Sequence, residues 1–169
     1  YLAYHDGLTG LPNRNLLQDR FDQAVSQAKR RQTPLAILIL DLDNFKQVND
    51  KLGHVNGDKV LQEVAMRLAN SIRGADTTCR YGGDEFVIML PVIDSLDNAT
   101  LLANEICGRL SEPYILRGHK ITMCVSLGMA IYPFHGKTLD ELLIKADATM
   151  YCAKNIDRIT HITRIKAIK

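Results

Sequence analysis

Two adjacent carboxylates, Asp84 and Glu85, follow two glycines in Tyr81-Gly82-Gly83-Asp84-Glu85-Phe86. Gly82 and Gly83 take positive backbone angles at little steric cost, which favours a two-residue hairpin between Thr78-Cys79-Arg80-Tyr81 and Phe86-Val87-Ile88-Met89-Leu90. Acids at the mouth of such a hairpin read either as a metal site or as a solvated turn. A second acidic pair bears on the choice. Asp41-Leu42-Asp43 follows Leu35-Ala36-Ile37-Leu38-Ile39-Leu40, an apolar run opened by Pro34 that reads as a strand buried on both faces. Asp41 is therefore expected at the carboxyl end of a core strand, where a charge is costly to desolvate unless paired or metal-bound. Mg²⁺ is the natural candidate, because it takes carboxylates, water and substrate phosphates. No Cys or His cluster competes for a softer metal. Just beyond, Asn44, Phe45 and Lys46 open a predicted helix whose free N–H groups and dipole favour phosphate. Lys46 reads either as a neutralising cation there or as an exposed lysine on an amphipathic helix.

The elements that must position these residues can be read from periodicity. Asn13 caps a predicted helix with Leu16, Leu17, Phe21, Ala24, Val25 and Ala28 on one face, ending near Gln32-Thr33-Pro34. After the first strand, Asn44 to Leu52 reads as a short helix stopped by Gly53, and Asp58 to Ile72 as a longer one with Val60, Leu61, Val64, Ala65, Leu68 and Ile72 inward. Past the hairpin, Ser95 to Leu110 is a helix carrying Leu101, Leu102, Ile106 and Leu110. Tyr114 to Leu116 is a short strand before a turn at Gly118. Ile121 to Ile131 alternates strictly and reads as a half-buried strand. Thr138-Leu139-Asp140-Glu141 forms a capping box for a last helix through Ala153, and Ile159 to Ile165 reads as a final strand. Together these give an α/β fold, an α+β sandwich with a central, mostly antiparallel sheet flanked by helices.

A chain of 169 residues is expected to form one domain, 1–169. Its net charge of +2, with basic residues scattered, argues against nucleic acid or an anionic membrane as partner. Cys79, Cys107, Cys124 and Cys152 form no close pairs, so no zinc site is expected and cytoplasmic thiols are the default. No apolar run approaches the roughly 20 residues of a membrane span, and the opening Tyr1-Leu2-Ala3-Tyr4-His5-Asp6 is not a signal peptide. Without a starting Met, the chain is expected to be a piece of a longer multidomain sensor, whose other segments are free to anchor it to a membrane.

Asp41 to Asp50, then Gly53-His54, Gly57-Asp58 and Gly82-Gly83-Asp84-Glu85-Phe86, closely resemble the GGDEF family of diguanylate cyclases. The resemblance runs almost end to end. Asp6-Gly7-Leu8-Thr9-Gly10-Leu11-Pro12-Asn13-Arg14 looks like the family's opening motif. Val125 to Ala130 with Tyr132-Pro133 looks like its later strand, and Ala146-Asp147 through Met150-Tyr151 and Ala153-Lys154 its last helix. The resemblance implies a core similar to adenylyl cyclases and polymerase palms, and condensation of two GTP molecules into cyclic di-GMP with loss of pyrophosphate. It implies Mg²⁺, with Mn²⁺ as an alternative, held by Asp41, Asp84 and the Leu42 carbonyl. Asp84 would also accept the proton, and Lys46 would neutralise developing charge. Glu85 would be either a second-metal ligand or a structural acid.

The resemblance further makes Asn49 and Asp58 the guanine readers. A carboxylate can accept the N1 and N2 hydrogens together, while an amide suits O6 and N3. Local roles compete: a helix cap for Asn49 and an N-terminal helix acid for Asp58. His54 would line the same pocket. Lys154 and Arg158, at i,i+4, would clamp the triphosphate, although Asp157 and Ile159 depart from the family pattern around Arg158. Arg73-Gly74-Ala75-Asp76 resembles the family's inhibitory product site, with Arg80 assisting; its plain alternative is a surface ion pair. Because the product is two-fold symmetric, the mechanism implies a homodimer. The alternative function is a catalytically weak or inactive module that binds GTP or cyclic di-GMP and regulates an attached domain.

Overall fold

The computed structural model describes residues 3–116 and 118–156, with the backbone alone at 119 and 151–156. The side chain of Lys154, together with Asp157, Arg158 and the strand expected over Ile159 to Ile165, lies outside the described residues. In chain order the elements are α1 (Arg14–Arg31), β1 (Leu35–Leu42), α2 (Phe45–Leu52), α3 (His54–Ala69), β2 (Thr77–Gly82), β3 (Glu85–Leu90), α4 (Leu96–Leu110), β4 (Tyr114–Leu116), β5 (His119–Ile121), β6 (Val125–Tyr132) and α5 (Leu139–Ile156). Four strands form an antiparallel sheet in the order β2-β3-β1-β6, and β4 and β5 form a separate pair.

Strand alternation divides the core into two layers. On one side Leu38, Leu40, Leu42, Phe86 and Ile88 meet Val60, Val64 and Leu68 of α3 and Ala103 and Ile106 of α4. On the other, Ile37, Ile39, Val87 and Met89 meet Leu17 and Phe21 of α1 and Leu142, Ala146 and Met150 of α5. The apolar run of β1 is thus buried from both faces, as its composition predicts. The α1 cap is also as expected: the Asn13 side chain accepts from the N–H groups of Asn15 and Leu16. At α5, Glu141 Oε2 accepts from the N–H groups of Lys137 and Thr138, while Thr138 Oγ1 accepts from Glu141 N–H.

Three elements differ from their expected form. The longer helix begins at His54 rather than Asp58, because Gly53 ends α2 and starts α3 at once. Its φ of 80° turns the chain without a linker, and its N–H closes onto Asn49 O at 2.8 Å. That helix ends at Ala69, so Ile72 reaches the core from beyond it. Leu101 on α4 is exposed, at 60%, rather than inward.

The third difference is the strand expected over Ile121 to Ile131. It divides into β5 and β6, and β6 is buried along its whole length. Its second face carries Ser126, Gly128 and Ala130, small residues that admit α5 rather than water. A Cβ on Gly128 would stand 1.9 Å from Ala146 O and 2.7 Å from Met150 N. Thr149 Oγ1 accepts the Met129 N–H at 3.1 Å and donates to Ala146 O at 2.6 Å, stitching helix to strand. Cys79, Cys107 and Cys124 are free thiols. Burial pushes Cys79 and Cys107 up to about 12. Among the described residues no helix is long and apolar enough to cross a membrane.

Because the Gly128 clash is with helix backbone, Gly128→Ala is expected to destabilise the protein by about 3 kcal/mol or more. Denaturant unfolding measures this. Thr149→Val should cost less, about 1–2 kcal/mol, by leaving the buried Met129 N–H unpaired.

Candidate active site at the end of the β1–β3 pair

The hairpin turns one residue later than the glycine pair suggests. Gly82 closes β2 and pairs with Glu85, so the two-residue loop is Gly83-Asp84, with Gly83 at φ 50°. The ladder shifts between Arg80 and Gly82, and this bulge absorbs Tyr81. Gly82 has a different reason to lack a side chain: a Cβ there would stand 3.0 Å from Arg14 Nη2. Arg14 stacks over the Tyr81 ring, 4.0 Å to its centre, and its Nε donates to the Tyr81 carbonyl.

Arg80 grips the tip. Its Nε and Nη2 donate to Gly83 O at 3.0 and 2.8 Å, and its Nη1 donates to the Asp6 carboxylate at 3.1 and 3.2 Å. Asp6 also accepts the Thr9 N–H at 2.8 Å and the Thr9 hydroxyl at 2.6 Å. Burial pushes the Asp6 carboxyl up, but those two bonds and Arg80 outweigh it, so it titrates below its ordinary value. The opening segment is therefore a clamp on the hairpin.

β1 runs to Leu42, which puts Asp41 inside the strand rather than after it. Its register partners are Glu85 on β3 and Ser126 on β6. By alternation Asp41 and Glu85 face the α5 side of the sheet, and Asp84 stands at the adjoining tip. The Glu85 carboxyl is pushed up by burial first, then by the charges of Asp41, Asp84 and Asp147 of α5, with Arg14 opposing. Asp147 is a member of this acidic group that periodicity did not single out. Asp43 does not join it: the Ser126 hydroxyl donates to both its carboxylate oxygens at 2.8 and 2.9 Å, and its N–H donates to Cys124 O. Leu42 has its side chain in the core, leaving only its backbone carbonyl for ligation.

α2 follows β1 directly, and α3 packs against α2. Asn44, with φ 60° and no side-chain cap bond, turns the chain into α2, and Lys46 is exposed on its first turn. Phe45 is core. Phe45 therefore offers only its backbone N–H to a ligand. His54 and Asp58 are exposed on α3, and Asp58 is its fifth residue, too far along to act as an N-terminal helix acid. Asn49 presents a buried side-chain oxygen with no hydrogen-bond partner.

A family model described as "Diguanylate cyclase, GGDEF domain" matches residues 3–159. The chain belongs to the GGDEF family. It is 48% identical over 157 residues to the bifunctional diguanylate cyclase/cyclic di-GMP phosphodiesterase MucR of Pseudomonas aeruginosa, covering 93% of this chain and 23% of that protein. It is 40% identical over 153 residues to the diguanylate cyclase TpbB of the same organism, covering 90% of this chain and 35% of that protein. The chain thus spans about a quarter to a third of the length of these curated relatives. The crystal structure of the GGDEF domain of DgcB from Caulobacter crescentus in complex with c-di-GMP superposes with a TM-score of 0.87 at 30% identity, covering 98% of this chain and 95% of that one.

In this GGDEF domain Arg73 and Asp76 come together away from the acids. The Arg73 N–H donates to Asp76 Oδ2 at 3.0 Å and the Asp76 N–H returns to Arg73 O, closing a turn through the backbone. Burial raises the Asp76 carboxyl, with the Arg73 N–H and charge opposing. Both residues line a cavity of about 410 Å³ with Ser71, Asn98 and Glu105. Arg80 is not brought to them; its guanidinium is committed to Asp6 and Gly83. Among the described residues no group of three or more His, Cys, Asp or Glu side chains converges as a ready metal cage.

The Asp6 clamp gives a signed pH dependence. A carboxylate lowered by folding stabilises the fold above its unfolded value near 3.8, and that contribution is lost as pH falls through the lower folded value. Asp6→Asn is expected to lose about 1–2 kcal/mol at pH 7. The deficit against wild type should shrink as pH falls from 4 towards 2, measured by urea unfolding at each pH.

Proposed function

We propose that this chain is a diguanylate cyclase domain that condenses two GTP molecules into cyclic di-GMP and two pyrophosphates, as part of a longer cytoplasmic signalling protein. The observation that carries the reading is the crowding of Asp41, Glu85 and Asp84 at one end of the sheet, beside the start of α2. The naming of relatives such as TpbB as diguanylate cyclases supports it.

The acids fit a divalent cation. They are hard oxygen donors; burial first and then their mutual repulsion raise Glu85, and a cation would relieve the repulsion. Asp41, Asp84 and the Leu42 carbonyl would hold Mg²⁺, or Mn²⁺ in its place, and Glu85, cross-strand from Asp41, would be a further ligand. The ion would supply charge neutralisation on phosphate and a lower pKa for the attacking hydroxyl.

The chain's own residues do the rest. Asp58 and Asn49 bind the guanine edge, with His54 beside them, which selects GTP. The N–H groups of Asn44, Phe45 and Lys46 at the start of α2 meet phosphate oxygens. The Lys46 ammonium offsets charge that develops on the α-phosphate, and Lys154 and Arg158 clamp the outer phosphates. Asp84 accepts the proton of the 3′-hydroxyl. That oxygen bonds to the α-phosphorus of the second GTP in line, and the bond to the β-phosphate bridge breaks with release of pyrophosphate. One domain holds one GTP, so two copies must face each other. Arg73 and Asp76 form the product-inhibition site; the complex of the DgcB GGDEF domain with c-di-GMP supports product binding by a domain of this family.

Incubation of the protein with GTP and Mg²⁺, followed by chromatography, should yield cyclic di-GMP. Asp84→Ala or excess chelator should lower the rate at least about 100-fold. Absence of product at high protein concentration, with GTP or cyclic di-GMP still bound, would replace the enzyme with a regulatory binding module. Added cyclic di-GMP should inhibit the wild type, and Arg73→Ala should relieve that inhibition without lowering the uninhibited rate; unchanged inhibition would remove Arg73 from the site.

A further inference from the structure

Alanine is the better helix former at an interior position, yet α3 carries Gly57 there, and its φ is not in the region that favours glycine. The reason is a neighbour. A Cβ on Gly57 would stand 1.9 Å from Asn49 Oδ1 and 2.9 Å from Asn49 Cγ, with Phe45 Cζ at 3.3 Å. The Asn49 amide is thus seated directly on the α3 backbone, in the space a side chain would fill. The seat is fixed on both sides. Gly53 N–H closes onto Asn49 O at 2.8 Å, and Asn56 Nδ2 ties the Leu52 carbonyl at the end of α2 to α3 at 2.6 Å.

The seated oxygen is itself incomplete. Asn49 Oδ1 is buried and accepts no hydrogen bond within the protein, an arrangement that disfavours the empty state unless a donor arrives. The geometry points to Gly57 as the residue that positions Asn49, holding its side-chain oxygen ready for an N–H of the incoming base. This rests on the reading of Asn49 and Asp58 as guanine contacts. Guanine has a donor that suits the oxygen. Its 2-amino group carries two hydrogens, and a carboxylate such as Asp58 that takes N1–H uses only one of them. The other is left for an amide oxygen on the opposite side. Gly57 is a positioning residue: it touches no substrate and acts through Asn49.

The clash that Gly57→Ala creates is chiefly with the end of one short side chain, so the variant should fold with an unfolding midpoint close to wild type and a displaced Asn49. GTP affinity, by calorimetry on the whole chain, should fall about tenfold. Inosine triphosphate, which lacks the 2-amino group, should lose less, so discrimination between the two nucleotides should shrink. In an Asn49→Ala background, adding Gly57→Ala should change GTP affinity less than twofold. Equal loss in both backgrounds, wild-type affinity in Gly57→Ala, or an unfolded Gly57→Ala would overturn the inference. If Asn49→Ala weakens GTP but Gly57→Ala does not, only this inference falls. If Asn49→Ala leaves GTP affinity and discrimination unchanged, the guanine reading of Asn49 falls and takes the inference with it.

Discussion

Backbone pairing holds like charges face to face at the end of the β1–β3 ladder. Asp41 is registered opposite Glu85, Asp84 stands at the adjoining tip, and Asp147 adds its charge from α5. Opposed like charges weaken a strand pair, so something else must keep this register. The apolar body of the sheet does so. Leu38, Leu40, Phe86 and Ile88 fill one layer, and Ile37, Ile39, Val87 and Met89 fill the other. A slip of one residue would exchange those layers side chain by side chain. The acids are therefore brought together by packing that lies further along the same strands, and they are held in spite of their mutual repulsion.

The hairpin tip needs its own restraint, because a two-residue loop bearing Asp84 has no core beneath it. Arg80 supplies this by joining Gly83 O to the Asp6 carboxylate, and Arg14 supports the other side through Tyr81. Both cations sit close to the acids, yet each has a partner of its own. Arg14 lowers Glu85 without undoing its upward shift. The acidic group thus keeps its charge imbalance while its scaffold stays rigid, which is the electrostatic condition a hard divalent cation would answer.

Features governed by hydrophobic period were legible in the sequence, and those governed by close approach were not. The β1 run and the caps of α1 and α5 follow from residue types along one segment. The Gly83-Asp84 turn does not, because the bulge at Tyr81 consumes a residue without altering the pattern. The start of α3 was hidden by Gly53 and Gly57, which resemble loop punctuation until the packing of α2 on α3 is seen. Ser126, Gly128 and Ala130 alternate with large residues as a solvent-facing edge would, but their smallness answers α5. Of the candidate site, Asp41, Asp84 and Glu85 were visible as acids bordering apolar strands. Asp147 and the clamp of Asp6, Arg80 and Arg14 depend on contacts across tens of residues that no local spacing encodes.

The Asn49 seat and the acidic edge are built on different supports. The seat depends on the α2–α3 joint at Gly53, and the edge on the β1–β3 ladder and its clamp. They meet only where β1 becomes α2. There Asp43 is anchored to Ser126 and to Cys124 O, and Asn44 turns the chain with a positive φ. A non-glycine residue in that conformation is uncommon, and asparagine tolerates it better than most. The two-residue link fixes how far the start of α2 stands from Asp41; on the proposed reading it would also set the distance between a base at Asn49 and a phosphate at the acids. Asp43, although it is not part of the acidic group, thereby ties the start of α2 to β6 as well as to β1.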